Sequence, residues 1–514
     1  MNGAEALLRT LVAGGVTVCF ANPGTSEMHI MDASQRVPAI RFVPCLSEGV
    51  VTGAADGYGR IAGNPGCTLL HLGPGLANGL ANLHNARRGH APIVNIVGEH
   101  PSTHRARVTP LASNIEAIAR PFSDWVRTAD RAASLVADAA DAIAAARTPP
   151  GRIATLIVPA DSAWADGIEP APARSPPEPR PPSVTTVARA ASMLRARVPT
   201  AMILAGNALH GRGLILAGRV REATGASLLT PFPVSRMERG AGRPVVDRIP
   251  YVLEDAVTTL RAFRQFILVG TPTPYAYFAY PDQDAVLVPQ VSETLALAPA
   301  DGDAAVALEA LASALPTASE LGSERTQARP SLPSGAINPL GLASVIAAVL
   351  PDQAIVVDEA MTSGRSIMAA CAEAAPHDWL GNTGGSIGIG MPLAVGAAIA
   401  CADRPVLCLS ADGSGMYTLQ ALWTMARENL RITVVVFANR AYALLKHEHA
   451  RIAGGDRASP ILAMFDLKRP DLDWVSLARG MGVSATRVDR LDGFASALRA
   501  GLHGRAPNLI EVPL

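Results

Sequence analysis

SADGSGMYTLQALWTMARENLRITVVVFANRAY, running from Ser410 to Tyr442, decides how the rest of this chain is read. It starts at the end of an apolar run, Pro405 to Leu409, and breaks at Asp412-Gly413-Ser414. A helical pattern follows, with Leu419, Leu422, Trp423 and Ala426 on one face. A second buried-strand run, Ile432 to Phe437, ends at Asn439. The order is strand, turn, helix, strand. In a parallel sheet this puts Asp412 and Asn439 at carboxyl ends of strands, where open α/β sheets bind ligands. One carboxylate and one amide oxygen there make half of a hard-cation site, which Mg²⁺ completes with backbone, water and a ligand's phosphates. Gly413 lets the backbone approach a phosphate and Ser414 can donate to it. An ordinary βαβ unit with a turn Asp and an end-of-strand Asn would carry the same letters.

Outward from this stretch, the 514 residues are 49% hydrophobic and only 4% aromatic, with 44 basic against 44 acidic side chains. A net charge of zero argues against nucleic-acid or anionic-membrane partners. The N-terminus MNGAEALLRTLVAGGV lacks the basic start and apolar core of a signal peptide, and no 18-residue apolar run occurs. The six cysteines show no C-x-x-C spacing and read as small buried hydrophobes in a reducing compartment. A cytoplasmic α/β protein is expected.

Strand and helix patterns alternate from the start. Ala4–Ala13 and Leu46–Arg60 read as helices; Val16–Phe20, Gly66–His71 and Pro92–Val97 read as strands. Seven prolines mark 167–184 as a semi-rigid linker, and 314–335 is a second polar linker. The expected organisation is three doubly wound parallel-sheet domains at 1–166, 185–313 and 336–514. In the middle one, Thr200–Leu204 and Phe266–Val269 read as strands and Gly206–Gly213 as a turn. Its glycines lack the dinucleotide-fingerprint spacing.

Ser410–Tyr442 resembles the thiamine-diphosphate (ThDP) signature, GDG followed by a helix and a strand ending in Asn-Asn. Ala411 stands at the first Gly and Ala438 at the first Asn, while the two metal-reaching side chains remain. The resemblance implies Mg²⁺ held by Asp412, Asn439 and the Ala441 carbonyl, with Gly413, Ser414 and Tyr442 near the cofactor. Ala411 is acceptable if its φ stays negative.

Glu48, in PCLSEGVVTGAADGYGR (44–60), could simply complement a helix dipole. The segment resembles the family's E-x-x-A-x-x-x-A-x-G-Y-A-R helix, which implies that Glu48 exchanges a proton with the cofactor's pyrimidine ring. An apolar setting would raise that carboxyl's affinity for protons. By the same resemblance, in GNTGGSIGIGMPLAVGAAIA (381–400), Gly385 offers a carbonyl to the cofactor's amino group and Ile387 wedges between its rings. In VVDEAMTSGRS (356–366), Thr362 and Ser363 would reach the diphosphate, though hydroxyls after a strand are often helix caps.

FANPGTSE (20–27) and LLHLGPGLANGLANLHNARRGHAPIVNIVGEH (69–100) are similar to acetolactate synthase and benzoylformate decarboxylase. Thr25 and His71 fall where the decarboxylase has its active-site Ser and one His, and a His there could relay protons. His84, His90, His447 and His449 have weaker claims, the last two lining the substrate entrance.

The resemblance therefore implies a ThDP- and Mg²⁺-dependent, acetolactate-synthase-like decarboxylase or carboligase of 2-keto acids. Its enamine would be ligated to a second carbonyl or protonated. The superfamily works as a homodimer or homotetramer, with the glutamate of one subunit reaching its neighbour's cofactor. FAD is not expected, because the middle domain lacks recognisable flavin-binding segments; that absence, a missing Phe-Gln pair and a missing C-terminal lid argue against simple acetolactate synthesis. A benzoylformate-decarboxylase-like enzyme, a 2-hydroxyacyl-CoA or oxalyl-CoA type lyase, and a catalytically decayed interaction subunit are the competing readings.

Overall fold

The computed structural model describes residues 1–105, 107–179, 181–278, 281, 284–316, 330–452 and 460–514; residues 317–329 of the expected second linker lie outside these. Three sheets organise the chain. The first holds β1 (Val18–Asn22), β2 (Arg41–Pro44), β3 (Gly66–Leu70), β4 (Ile93–Glu99), β5 (Trp125–Thr128) and β6 (Ile153–Pro159), all parallel, in the order 2-1-3-4-6-5. The second comprises β7 (Thr200–Leu204), β8 (Ser227–Thr230), β10 (Asp247–Arg248), β11 (Gln265–Val269) and β12 (Glu293–Ala298), in the order 10-8-7-11-12. The third has β13 (Ala354–Asp358), β14 (His377–Gly381), β15 (Val406–Ala411), β16 (Ile432–Ala438), β17 (Ser484–Arg487) and β18 (Asn508–Pro513), in the order 17-18-16-15-13-14.

To the edge of that third sheet β9 (Arg236–Arg239) adds itself antiparallel, Trp379 opposite Met237. The middle stretch of sequence thus lends a strand to the C-terminal sheet. Arg236 secures the join through Asp378 at 2.8 Å.

Period-2 alternation explains why the strands are buried on both faces. In β15, Val406 and Cys408 point into one apolar cluster while Leu407 and Leu409 point into another. Sheets covered by helices on both sides read as continuous apolar runs, which is what PVLCL and ITVVVF are. The cluster containing Val406 also takes in Phe20, Leu70 and Val97 of the first sheet, so the N- and C-terminal sheets share one core. The shared core is closed by the helices Glu48–Ala62 and Gly390–Ala400. Their backbones meet so closely that a Cβ on Gly396 would fall 1.9 Å from the Ala54 carbonyl oxygen.

Several boundaries differ from the sequence reading. The helix expected from Leu46 begins at Glu48, because Ser47 is extended at φ −160° and ψ 140°. Gly206–Gly213 is not one turn: a short 3₁₀ segment spans Gly206–Ala208 and Gly211 already opens a helix. The helical pattern after Asp412 splits into Asp412–Gly415 and Ala421–Arg427, whose buried residues include Leu422 and Met425 while Trp423 is only half-buried beneath Arg427. Five of the six cysteines are buried and all six are free. No helix among the described residues is long and apolar enough to cross a membrane.

Candidate active site

β15 and β16 pair in parallel with Ala411 opposite Phe437, so the residues that follow, Asp412 and Asn439, emerge side by side. Asp412 is 2% exposed; its Oδ1 accepts from the Gly413 amide at 2.9 Å and its Oδ2 from the Arg440 amide at 2.5 Å. Burial pushes this carboxyl's pKa up, with the Arg440 and Gly413 amides opposing. No ion pair reaches it among the described residues. The Asn439 Oδ1 accepts from the Ala441 amide at 3.0 Å, and its Nδ2 faces the Thr362 and Ser363 hydroxyls at 3.4 and 3.5 Å. Thr362 and Ser363 come from the loop after β13, the strand on the other side of β15.

One buried, unpaired carboxylate, one amide and two hydroxyls therefore converge where three strands end. No group of three or more His, Cys, Asp or Glu suited to a metal occurs among the described residues. A cation here would depend on a ligand's phosphates to complete its shell, which is how Mg²⁺ is usually held. The donor set fits a metal-bound diphosphate.

Ala411, the departure at the first signature position, has φ −122° and carries its Cβ without strain. Gly413 lies against Tyr442, whose Cε1 would be 2.7 Å from an added Cβ. The Ser414 hydroxyl is committed to the Ala411 backbone at 3.3 Å in both directions, so it caps its own turn. Arg440 is a non-glycine residue in the left-handed region, at φ 55°.

Gly385 has φ 79°, where only glycine is at ease, and Ile387 follows half-buried. A residue that sequence reasoning passed over holds this loop. Glu359, 3% exposed, accepts from the amides of Gly388 at 2.7 Å, Ile389 at 3.0 Å and Gly390 at 2.9 Å. Burial pushes Glu359 up to about 7 against those three donors. One carboxylate thus ties the loop of Ile387 to that of Thr362. Its only sequence signal was its place at the end of a buried strand.

A second cluster forms at the carboxyl ends of β1 and β3. Glu48 accepts from Asn22 Nδ2 at 3.0 Å and from Asn78 Nδ2 at 3.2 Å. His71 follows β3, and its Nδ1 lies 2.7 Å from Glu27 Oε2, which also accepts from the Gly24 amide at 2.8 Å. The Glu27 side chain has no solvent exposure, and its Oε1 has no partner. Burial pushes Glu27 up, with the Gly24 amide and His71 opposing. Holding Nδ1 on a carboxylate leaves the His71 Nε2 free to face a ligand. Gly75 stands between the two groups: a Cβ there would be 3.4 Å from His71 Cβ and 3.5 Å from Glu48 Oε1. Leu72, next to His71, is buried at φ 52°.

Thr25 opens the turn after β1 with its side chain exposed. Glu27 was written in the quoted FANPGTSE, but its partner is 44 residues away and the pairing was not readable. Of the weaker histidines, His84 bonds the Gly384 carbonyl at 3.1 Å, and burial pushes the His90 pKa down. His447 and His449 lie on the helix Ala443–Ile452, eight and ten residues beyond Asn439 in the sequence. Among the described residues, no hydrogen bond joins the Glu48–His71 cluster to the Asp412–Asn439 cluster of the same chain.

Comparison with known proteins identifies the family and the fold. Residues 1–118 match the family model described as thiamine pyrophosphate enzyme, N-terminal TPP binding domain, and residues 363–512 match its C-terminal TPP binding domain. The chain is 48% identical over 516 residues to a Mycobacterium tuberculosis protein named "Putative acetolactate synthase large subunit IlvX", covering 100% of this chain and 99% of that one. It is 28% identical over 525 residues to a benzoylformate decarboxylase of Pseudomonas aeruginosa, covering 97% and 96%. The fold matches a solved structure of a thiamine diphosphate-dependent 4-hydroxybenzoylformate decarboxylase of Rhodococcus jostii RHA1 with a TM-score of 0.87 at 23% identity, covering 100% and 99%.

Proposed function

The chain belongs to the thiamine pyrophosphate enzyme family, and we propose that it is a ThDP- and Mg²⁺-dependent decarboxylase of a 2-keto acid. When bound, ThDP supplies the electron sink that accepts the carbon–carbon bonding pair released with CO₂. The protein's contribution is to bind, orient and move protons. Asp412, Asn439 and the Ala441 carbonyl hold Mg²⁺ on the diphosphate, and Thr362 and Ser363 donate to it. Gly385 and Ile387 receive the ring system, on a loop fixed by Glu359. Residues 336–514 thus form the diphosphate half of the site, and residues 1–166 the pyrimidine half.

Glu48 supplies the carboxyl that exchanges a proton with the pyrimidine. In this reading the site is built between subunits, the Glu48 of one protomer serving the diphosphate half of its partner. Such a site requires at least a homodimer.

The observation that carries the reading is the pair of buried Glu27 and half-buried His71, 2.7 Å apart and beside Glu48. A histidine whose Nδ1 is fixed by a carboxylate has its Nε2 aimed to pass a proton to a ligand. That arrangement favours ending the reaction by protonation, with an aldehyde as product. Ligation to a second carbonyl is the other reading, supported by the 48% identical relative's name.

The test is to supply ThDP, Mg²⁺ and a panel of 2-keto acids, then measure CO₂ release and identify the carbon product. Aldehyde formation that falls about 100-fold in His71→Ala, with CO₂ release slowed alongside, is the expected result. A hydroxyketone product undiminished in His71→Ala would assign ligation instead.

A further inference from the structure

Aromatic residues make up only 4% of this chain, yet four of them meet in one place. Phe232 follows β8, Tyr251 follows β10, and Tyr277 and Phe278 follow β11, so all four are carried on the carboxyl ends of the middle sheet's strands. The rings pack edge to face: Phe232 lies 5.2 Å from Tyr251 and 5.9 Å from Tyr277, and Tyr277 lies 4.9 Å from Phe278. Tyr277 and Phe278 remain 38% and 46% exposed, so the cluster is an open wall rather than a closed core.

What the wall faces gives it a use. The Tyr277 hydroxyl stands against Gly385, where an added Cβ would fall 1.9 Å away. Phe232 and Tyr251 border a small cavity together with Asp358, Thr362 and Arg365, the loop that ends in the proposed diphosphate donors. The same two rings and Tyr277 also bound a cavity of about 1340 Å³ that reaches Thr383. The Arg248 guanidinium covers the outer side of Phe232, 5.1 Å from its centroid. The rings therefore span the gap between the two loops that would hold the cofactor, and they come from a part of the chain to which the site residues above assign nothing.

We propose that Phe232, Tyr251, Tyr277 and Phe278 form the subsite for the side chain of the 2-keto acid, that this side chain is aromatic, and that Tyr277 is its specificity-determining residue. This rests on the decarboxylase reading above. Edge-to-face packing rewards a flat ring beyond the area it buries, roughly 2- to 12-fold in affinity per ring pair. A methyl group would leave most of the wall in water and gain none of that. Pockets lined by rings with a few aimed hydroxyls are also the usual form of small-molecule sites.

The experiment compares kcat/KM for benzoylformate, pyruvate and a branched aliphatic keto acid in the holoenzyme and in Tyr277→Ala. It also measures, by calorimetry, ThDP binding and the binding of (R)-mandelate and lactate, which are not decarboxylated. Expected are a preference for benzoylformate over pyruvate of at least about 10-fold and its loss in Tyr277→Ala. Benzoylformate turnover should fall further than pyruvate turnover, and mandelate binding should weaken about as much as benzoylformate turnover. A wild type that prefers pyruvate would overturn the proposal. So would a Tyr277→Ala enzyme that weakens ThDP and keeps its preference, since the rings would then serve the cofactor. If ThDP binds but no keto acid is decarboxylated, the functional reading fails. The mandelate-to-lactate binding ratio still decides the subsite: a wild type that binds the two equally refutes it.

Discussion

Replacing Glu359 by Gln tests whether a single buried carboxylate governs the loop of Gly385 and Ile387. Burial lifts this carboxyl from its ordinary 4.5 to about 7 although three amides donate to it, with the adjacent Asp358 lifting it further. The folded state therefore binds a proton that the unfolded chain releases between those values. The stabilisation is fully present below pH 4.5 and is lost as pH rises through about 7. The full loss is about 3 kcal/mol, most of it between pH 5 and pH 8.

Glutamine cannot titrate, and it sets an NH₂ against one of the three N–H groups, at a cost of about 1–3 kcal/mol. The variant should thus be clearly less stable than wild type at pH 5 and equal or more stable at pH 8. Urea midpoints for both apo proteins, followed by tryptophan fluorescence at one fixed protein concentration, give the difference at each pH. A stability difference that is the same at both pH values, within about 0.5 kcal/mol, would refute the reasoning.

The site makes four further predictions. Glu48→Gln should keep ThDP affinity, since Asn22 and Asn78 remain to position an amide oxygen, but should lose hydrogen–deuterium exchange at the cofactor's C2; NMR of the bound cofactor reads this, and unchanged exchange removes the proton-relay role. Asp412→Ala should weaken Mg²⁺-dependent ThDP binding by more than about 100-fold, the upper range for merely indirect metal partners, as measured by calorimetry with and without Mg²⁺. Ala411→Gly should leave that affinity nearly unchanged because φ is already −122°. Gly385→Ala should abolish it, a side chain there meeting both φ 79° and the Tyr277 hydroxyl.

The sequence alone determined β15 and β16 of the C-terminal sheet and the place of Asp412 and Asn439 at neighbouring strand ends. Continuous apolar runs and a βαβ connection are local properties, and the parallel geometry follows from them. It also set the condition for an alanine at 411, a negative φ, which the structure meets at −122°. Packing decided the rest. Glu27 meets His71 across 44 residues, and Glu359 meets Gly388 across 29. β9 leaves the middle sequence for the third sheet, and Tyr277 reaches Gly385 from more than a hundred residues upstream. None of these pairings leaves a periodicity. Each exists because a buried acceptor needs donors and an open sheet edge needs a strand, and only the assembled chain settles which residues answer.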